Sequence, residues 1–172
     1  PIAKVAGLKL TGRFAEGPEA AVELTAEKHA LKGTLKAKPV VVFGAVDYGV
    51  MGKDANLYLL RYHPKAVYAG ADEKAATLGR GVEIVPVADG DKTAFRVLSA
   101  GKPVADAEIT VVTPDAKKEK LKTDKDGRTT AFAGTGRFAS YAKVVEPTAG
   151  ELDGKKYTEV RNYATLVYVA GK

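Results

Sequence analysis

At 172 residues, with 45% hydrophobic and 28% charged side chains, the chain has the make-up of a globular protein of one large domain or two small ones. It contains no cysteine, which excludes disulfides, thiolate metal sites and cysteine nucleophiles, and no apolar run approaches the ~18 residues that cross a bilayer. Lys plus Arg outnumber Asp plus Glu by 27 to 21, a net charge of +6, but the densest basic run, "DAKKEKLKTDK", carries Asp115, Glu119 and Asp124 within it. That interleaving reads as the solvated face of a hairpin and not as a nucleic-acid footprint, so no nucleic-acid partner is expected. The chain opens at Pro1, which reads as a trimmed or processed product from which any leader has gone.

Alternation with period two dominates. "AAVELTAE" puts Val22 and Leu24 on one face and Glu23 and Thr25 on the other, a half-buried strand. "KPVVVFGAV" is a β-branched run short enough for a fully buried strand. "NLYLLRYH" sets Leu57, Leu59 and Arg61 against Tyr58, Leu60 and Tyr62, and Pro64 is expected to limit its ladder. "AGADEKAATLGRG" reads as a linker with one helical turn at "DEKAATL", ended by Gly79. Beyond it come "VEIVPVA", "AFRVLSAG", "AEITVVTPD", "TTAFAG", "GRFASYAKVVE" and "YTEVRNYATLVYVA", separated by turns at short intervals. In the last of these, Val160, Ala164, Leu166 and Tyr168 share one face and Glu159, Arg161, Thr165 and Val167 the other. The pattern predicts an all-β protein built as an antiparallel sandwich or barrel, with the linker as the boundary candidate. The final strand is a candidate to pair with the N-terminal part.

"KTDKDGRTTAF" sets two aspartates one residue apart before a glycine, as a calcium loop does. An EF-hand counted from Asp124 would need oxygen ligands where Arg128 and Thr135 stand, and its glycine comes too early. Asp126-Gly127 between alternating segments is instead a hairpin-type corner, with Gly127 at positive φ and Asp124 bonding nearby amides.

The order "AFRVLSAGKPVADAEITVVTPD…KTDKDGRTTAFAGTGRFASYA" resembles the transthyretin-like, carboxypeptidase-regulatory-like group of sandwiches, also called Cna protein B-type domains. The matching positions are Gly101, Pro103, Val104, Ala107, Ile109, Thr123, Asp124, Gly127, Gly136 and Phe138. "GRGVEIVPV", "GELDGKKYTEVRNYATLVYV" and "YGVMGKDANLYLLRYHPKAV" resemble a bacterial family of unknown function often labelled a periplasmic component of nickel or cobalt uptake. The resemblance implies an antiparallel prealbumin-like (Ig-like) β-sandwich over 80–172 with a smaller β-rich subdomain over 1–75 packed against it, an exported setting, nickel or cobalt as the metal, and a membrane transporter complex as partner. Members of that family carry a histidine-bearing segment after the leader; this sequence starts beyond that point, so no ligand carries over from there.

Only two histidines occur, His29 and His63. Imidazole and carboxylate are the ligands nickel and cobalt favour, so the metal candidates are His63 with Asp47 and Tyr48, and His29 with Glu27. Neither set has a chelating spacing. Serine is restricted to Ser99 and Ser140, and no nucleophile elbow is present. The pairs Asp89/Asp91 and Asp124/Asp126 fall in turns, so no catalytic residue and no cofactor-binding residue is expected. Tyr58, Tyr62 and Tyr68, with Tyr157, Tyr163 and Tyr168, form two aromatic groups that serve packing or, if exposed together, a sugar or partner surface. The expectation is a non-catalytic, periplasmic accessory or binding protein tied to nickel or cobalt uptake. Its alternative is a carbohydrate- or protein-binding sandwich without metal.

Overall fold

The computed structural model describes Val5 and residues 7–28, 30–68 and 71–171. His29 and the first two residues of the expected linker, Ala69 and Gly70, lie outside the described residues. In chain order the elements are β1 (Lys9–Arg13), β2 (Ala20–Ala21), β3 (Glu23–Ala26), β4 (Leu31–Thr34), β5 (Val41–Met51) and β6 (Tyr58–Val67). A single helical turn, α1 (Glu73–Ala76), precedes β7 (Val82–Asp89), β8 (Lys92–Ser99) and β9 (Lys102–Pro103). Then come β10 (Glu108–Val112), β11 (Lys118–Lys122), β12 (Gly136–Glu146), β13 (Gly150–Leu152), β14 (Lys155–Tyr157) and β15 (Glu159–Ala170). The protein is all-β, and no helix among the described residues is long and apolar enough to cross a membrane.

The main sheet has eight strands in the order β11-β10-β12-β15-β6-β5-β1-β2. All its ladders are antiparallel except one: β15 runs parallel to β6, from Glu159 opposite Tyr58 to Tyr168 opposite Val67. The last strand thus pairs with the N-terminal part, and strands from either side of residues 75–80 share one sheet. A smaller sheet, β7-β8-β9, packs on one face of the large one. Segment 127–132 adds to its β8 edge through Thr93–Phe132 and Arg96–Arg128 bridges.

Between the sheets lies a core built from the alternating residues of both. Phe138 and Ala142 of β12, Ala164 and Leu166 of β15, and Val41, Phe43 and Val67 of β5 and β6 meet Val82, Ile84, Val85, Phe95 and Val97. Each fully buried Phe or Leu here contributes about 1.5–3 kcal/mol of transfer free energy. The face carrying these residues is the inner face; residues between them along each strand form the outer face.

Three local expectations are corrected. "AAVELTAE" is not one strand: Ala20–Ala21 pairs with β1, whereas Glu23–Ala26 pairs with β4, and most of it is exposed. "KPVVVFGAV" is buried on one face, not two, because Val42 and Gly44 look outward beside the buried Val41 and Phe43. Pro64 does not end its strand. β6 continues to Val67 between two neighbours, and only the β5 ladder registers the missing N–H, skipping from Phe43–Lys65 to Val46–Tyr62.

The Asp-Gly corner is a tight turn, but the segments it joins belong to different sheets: β11 pairs with β10, whereas 127–132 pairs with β8. Asp124 Oδ1 accepts the amides of Arg128 and Asp126, both at 2.9 Å, and these bonds, Arg128's first, hold its pKa below the usual carboxylate value. Thr123 is buried; its Oγ1 accepts from Ala107 N–H at 2.9 Å and donates to Val104 C=O at 2.7 Å. Gly127 has φ 71°, and a Cβ there would stand 2.7 Å from Val97 O and 3.0 Å from Val104 N. The T-D-x-x-G spacing is therefore a crossover clamp: Thr123 holds the incoming loop, Asp124 bends the chain, and Gly127 lets it pass under β8. Gly127→Ala combines left-handed strain with overpacking and is expected to cost roughly 2–4 kcal/mol. Urea unfolding checks this, with Lys125→Ala in the same turn expected to stay within about 0.5 kcal/mol of the parent.

Candidate functional site

The inner face of the large sheet is covered in two ways. The small sheet lies over β12 and β15, and segment 71–81 straps across β1, β5 and β6. Arg13 of β1 fastens this strap by donating Nη1–H to Thr77 O at 2.7 Å and Ala75 O at 3.1 Å. Asp72 caps α1 by accepting from Ala75 N–H at 2.7 Å, and Ala76 packs into the core. Between strap and strands is a cavity of about 340 Å³. Its floor is Lys9 and Thr11 of β1, Phe43 and Ala45 of β5, and His63 and Lys65 of β6; its roof is Leu78, Arg80, Gly81, Val82 and Glu83. Gly44 and Pro64 also line it, so the cavity sits on the stretch 44–45/63–64 where the β5–β6 ladder skips.

At the inner end Lys65 Nζ donates to Glu83 Oε2 at 2.6 Å, both side chains 2% exposed. The same carboxylate accepts the amides of Leu78 at 3.0 Å and Gly79 at 2.9 Å, so one acid ties both sheets and the strap together. Burial pushes the Lys65 ammonium's pKa down, and the Glu83 charge opposes that fall.

His63 is half-buried. Its Nε2 lies 2.8 Å from Asn162 Oδ1; with Nε2–H donating there, Nδ1 keeps its lone pair. Burial lowers its pKa below the ordinary 6.5, against the raising effect of the Asn162 bond. The imidazole therefore stays neutral at physiological pH. Asn162 is 2% exposed, and its amide nitrogen has no hydrogen-bond partner among the described residues. Gly81, at φ 59°, lies against the imidazole: a Cβ there would stand 3.2 Å from Nδ1 and Cε1.

The rim is cationic. Arg80 stacks on Phe43 with its guanidinium carbon 4.6 Å from the ring centroid and bonds Glu19 at 2.7 Å. Arg13 bonds the same acid at 2.9 Å. Glu19 is held below the usual carboxylate range, by Arg80 first. Lys9 makes no ion pair among the described residues.

Of the residues expected to ligate metal, Asp47 and His63 share the inner face of β5 and β6, but Asp47 is gripped by Arg61. Its Oδ2 accepts Nη2–H at 3.0 Å and its Oδ1 accepts Nε–H. Tyr48 packs edge-on to Tyr62 with ring centroids 5.8 Å apart. Glu27 lies just past β3, and His29 is outside the described residues. No group of three or more His, Cys, Asp or Glu side chains that could hold a metal ion is found among the described residues. Neither serine is bonded to His63: Ser99 Oγ donates to Glu146 at 3.0 Å, and Ser140 Oγ is buried with no hydrogen-bond partner among the described residues. Sequence reasoning missed Lys65, Glu83 and Arg80. Glu83 did leave a signal, a lone acid inside "VEIVPVA", which burial obliges to find a cation.

A domain of unknown function (DUF4198) is found at residues 52–131, somewhat under half of the chain. That span holds His63, Lys65, the strap, Glu83 and the crossover clamp, and stops before β12. No curated protein and no solved structure matches the chain.

Lys65→Met, which strands a buried carboxylate, is expected to destabilise by about 3–5 kcal/mol in denaturant unfolding, with Lys65→Met/Glu83→Leu recovering part of the loss. The His63 shift also has a sign. Folded His63 holds its proton less tightly than the unfolded chain does, so stability is full above pH 6.5 and falls as pH drops from there toward the folded value. Unfolding free energies measured between about pH 5 and 8 should show that slope, and His63→Gln should flatten it.

Proposed function

We propose that this is a non-catalytic, exported binding protein that holds a small organic anion under the strap. The observation that carries the reading is the cavity of about 340 Å³ with apolar walls at Phe43, Ala45, Leu78 and Val82 and convergent polar groups at His63, Lys9 and Arg80. A carboxylate at the rim meets Lys9 and Arg80; an apolar body lies on Phe43; the Nδ1 lone pair of a neutral His63 accepts a hydrogen bond from a ligand that carries a hydroxyl. The family resemblance supports the exported setting. The transthyretin-like assignment of the C-terminal part belongs to the same proposal, supported by the Thr123–Asp124–Gly127 clamp. Thermal unfolding with benzoate, phenylacetate and hexanoate tests it. A melting temperature that rises with ligand, and an affinity about tenfold weaker in Lys9→Gln, the scale of one charged hydrogen bond, support the pocket. No shift with any of these anions overturns it.

A second reading is the accessory role in nickel or cobalt uptake. It is favoured by His63 being held neutral, the form that ligates metal, and it requires Asp47 to leave Arg61. Calorimetric titration with nickel decides it. Heat that is lost in His63→Ala supports this role, and absence of heat in the parent protein removes it.

A further inference from the structure

The outer face of the large sheet carries a second, unrelated assembly. Register places Lys122, Glu108, Lys143, Tyr163 and Tyr62 in one row across β11, β10, β12, β15 and β6. The next row is Lys120, Thr110, Tyr141 and Thr165. Residues opposite one another share a face and stand ~5 Å apart, and Lys120 and Lys122 are separated by roughly 7 Å along their strand. Tyr141 is 47% exposed and Val167 42%, while Tyr163 and Tyr62 pack at 5.9 Å between centroids. A shallow cavity of about 510 Å³ runs between the lysines and the two tyrosines Tyr141 and Tyr163. None of Lys118, Lys120, Lys122, Arg137 and Lys143 makes an ion pair among the described residues. These five cations thus share this face of β10, β11 and β12 with a single acid, Glu108.

We infer that this face docks an acidic polysaccharide, with sugar rings lying on Tyr141 and Tyr163 and their carboxylates paired to Lys120, Lys122 and Lys143. Charge complementarity selects an anion, and the aromatic platforms select a partner with flat C–H faces. Glu108 decides between polyanions. It stands between Lys122 and Lys143, where it repels a closely spaced phosphate backbone but accepts hydrogen bonds from sugar hydroxyls, as do Thr110 and the tyrosine hydroxyls. The inference deepens the carbohydrate alternative drawn from the sequence and is independent of the pocket under the strap.

Biolayer interferometry with immobilised polygalacturonate, alginate, neutral dextran and single-stranded DNA tests it at low and raised salt. The expected result is binding to the two acidic glycans that weakens with salt, none to dextran, and DNA binding weaker than either glycan. Tyr141→Ala and Lys120→Gln/Lys143→Gln should each weaken glycan binding at least tenfold; both sites are on the surface, and unchanged circular dichroism confirms the fold. Lys9→Gln should leave glycan binding unaltered, which separates this face from the pocket. The inference is overturned by no glycan binding, by tighter binding to DNA, or by glycan binding indifferent to Tyr141→Ala. It is also overturned if sedimentation shows a dimer that Tyr141→Asp dissociates, since the face would then be covered by a second copy.

Discussion

The parallel ladder between β15 and β6 is the constraint on which the rest of this architecture depends. Strands that meet in the middle of a sheet from opposite halves of a chain give that sheet two long unbroken faces. One face must be buried, and the chain has too few inward apolar residues to bury all of it with one second layer. The small sheet covers the β12–β15 side, where Phe138, Ala142, Ala164 and Leu166 are apolar. On the β1–β5–β6 side the inner face also carries Lys9, Arg13, His63 and Lys65, and a polar surface of that kind cannot be sealed by a sheet. A strap of irregular backbone covers it instead, because backbone amides and carbonyls can answer charged side chains as apolar strands cannot.

That division explains why the pocket is where it is. Pro64 removes one donor from the β5 ladder, Gly81 keeps the roof thin over the imidazole, and Glu83 collects the ammonium of Lys65 and two strap amides. A buried ion pair is costly to desolvate, and its additional amide bonds offset part of that cost. The pair gains in specificity what it gives up in raw stability: it fixes how the strap, β6 and β7 sit together, and so fixes the shape of the cavity.

Much of this was readable beforehand, for physical reasons. Alternation in "GRFASYAKVVE" and "YTEVRNYATLVYVA" reports which side chains share a face, and the structure honours both patterns. The Asp-Gly corner was also legible, since its geometry is local. Alternation does not say which strands become neighbours, however, and so the corner passed for a hairpin although it carries the chain from one sheet to the other. Pro64 misled because a proline costs only one ladder bond, which the remaining β15 ladder outweighs. The Lys65–Glu83 pair was hidden in another way: the two lie 18 residues apart on strands of different sheets, and no local period links them. Tyr141 was absent from both expected tyrosine groups; only its position opposite Phe138, Ala142 and Val144 in the β12 pattern marks it as outward.

The central parallel ladder also fixes an order of events during synthesis. Residues 159–168 emerge about a hundred positions after the partner strand at 58–67, and until they do, β6 has one bare edge in what will become the middle of the sheet. Contacts so distant along the chain slow the final closure, and an open edge rich in tyrosine and leucine invites pairing with other chains. The N-terminal half consequently exposes that edge to wrong pairing until the last strand arrives.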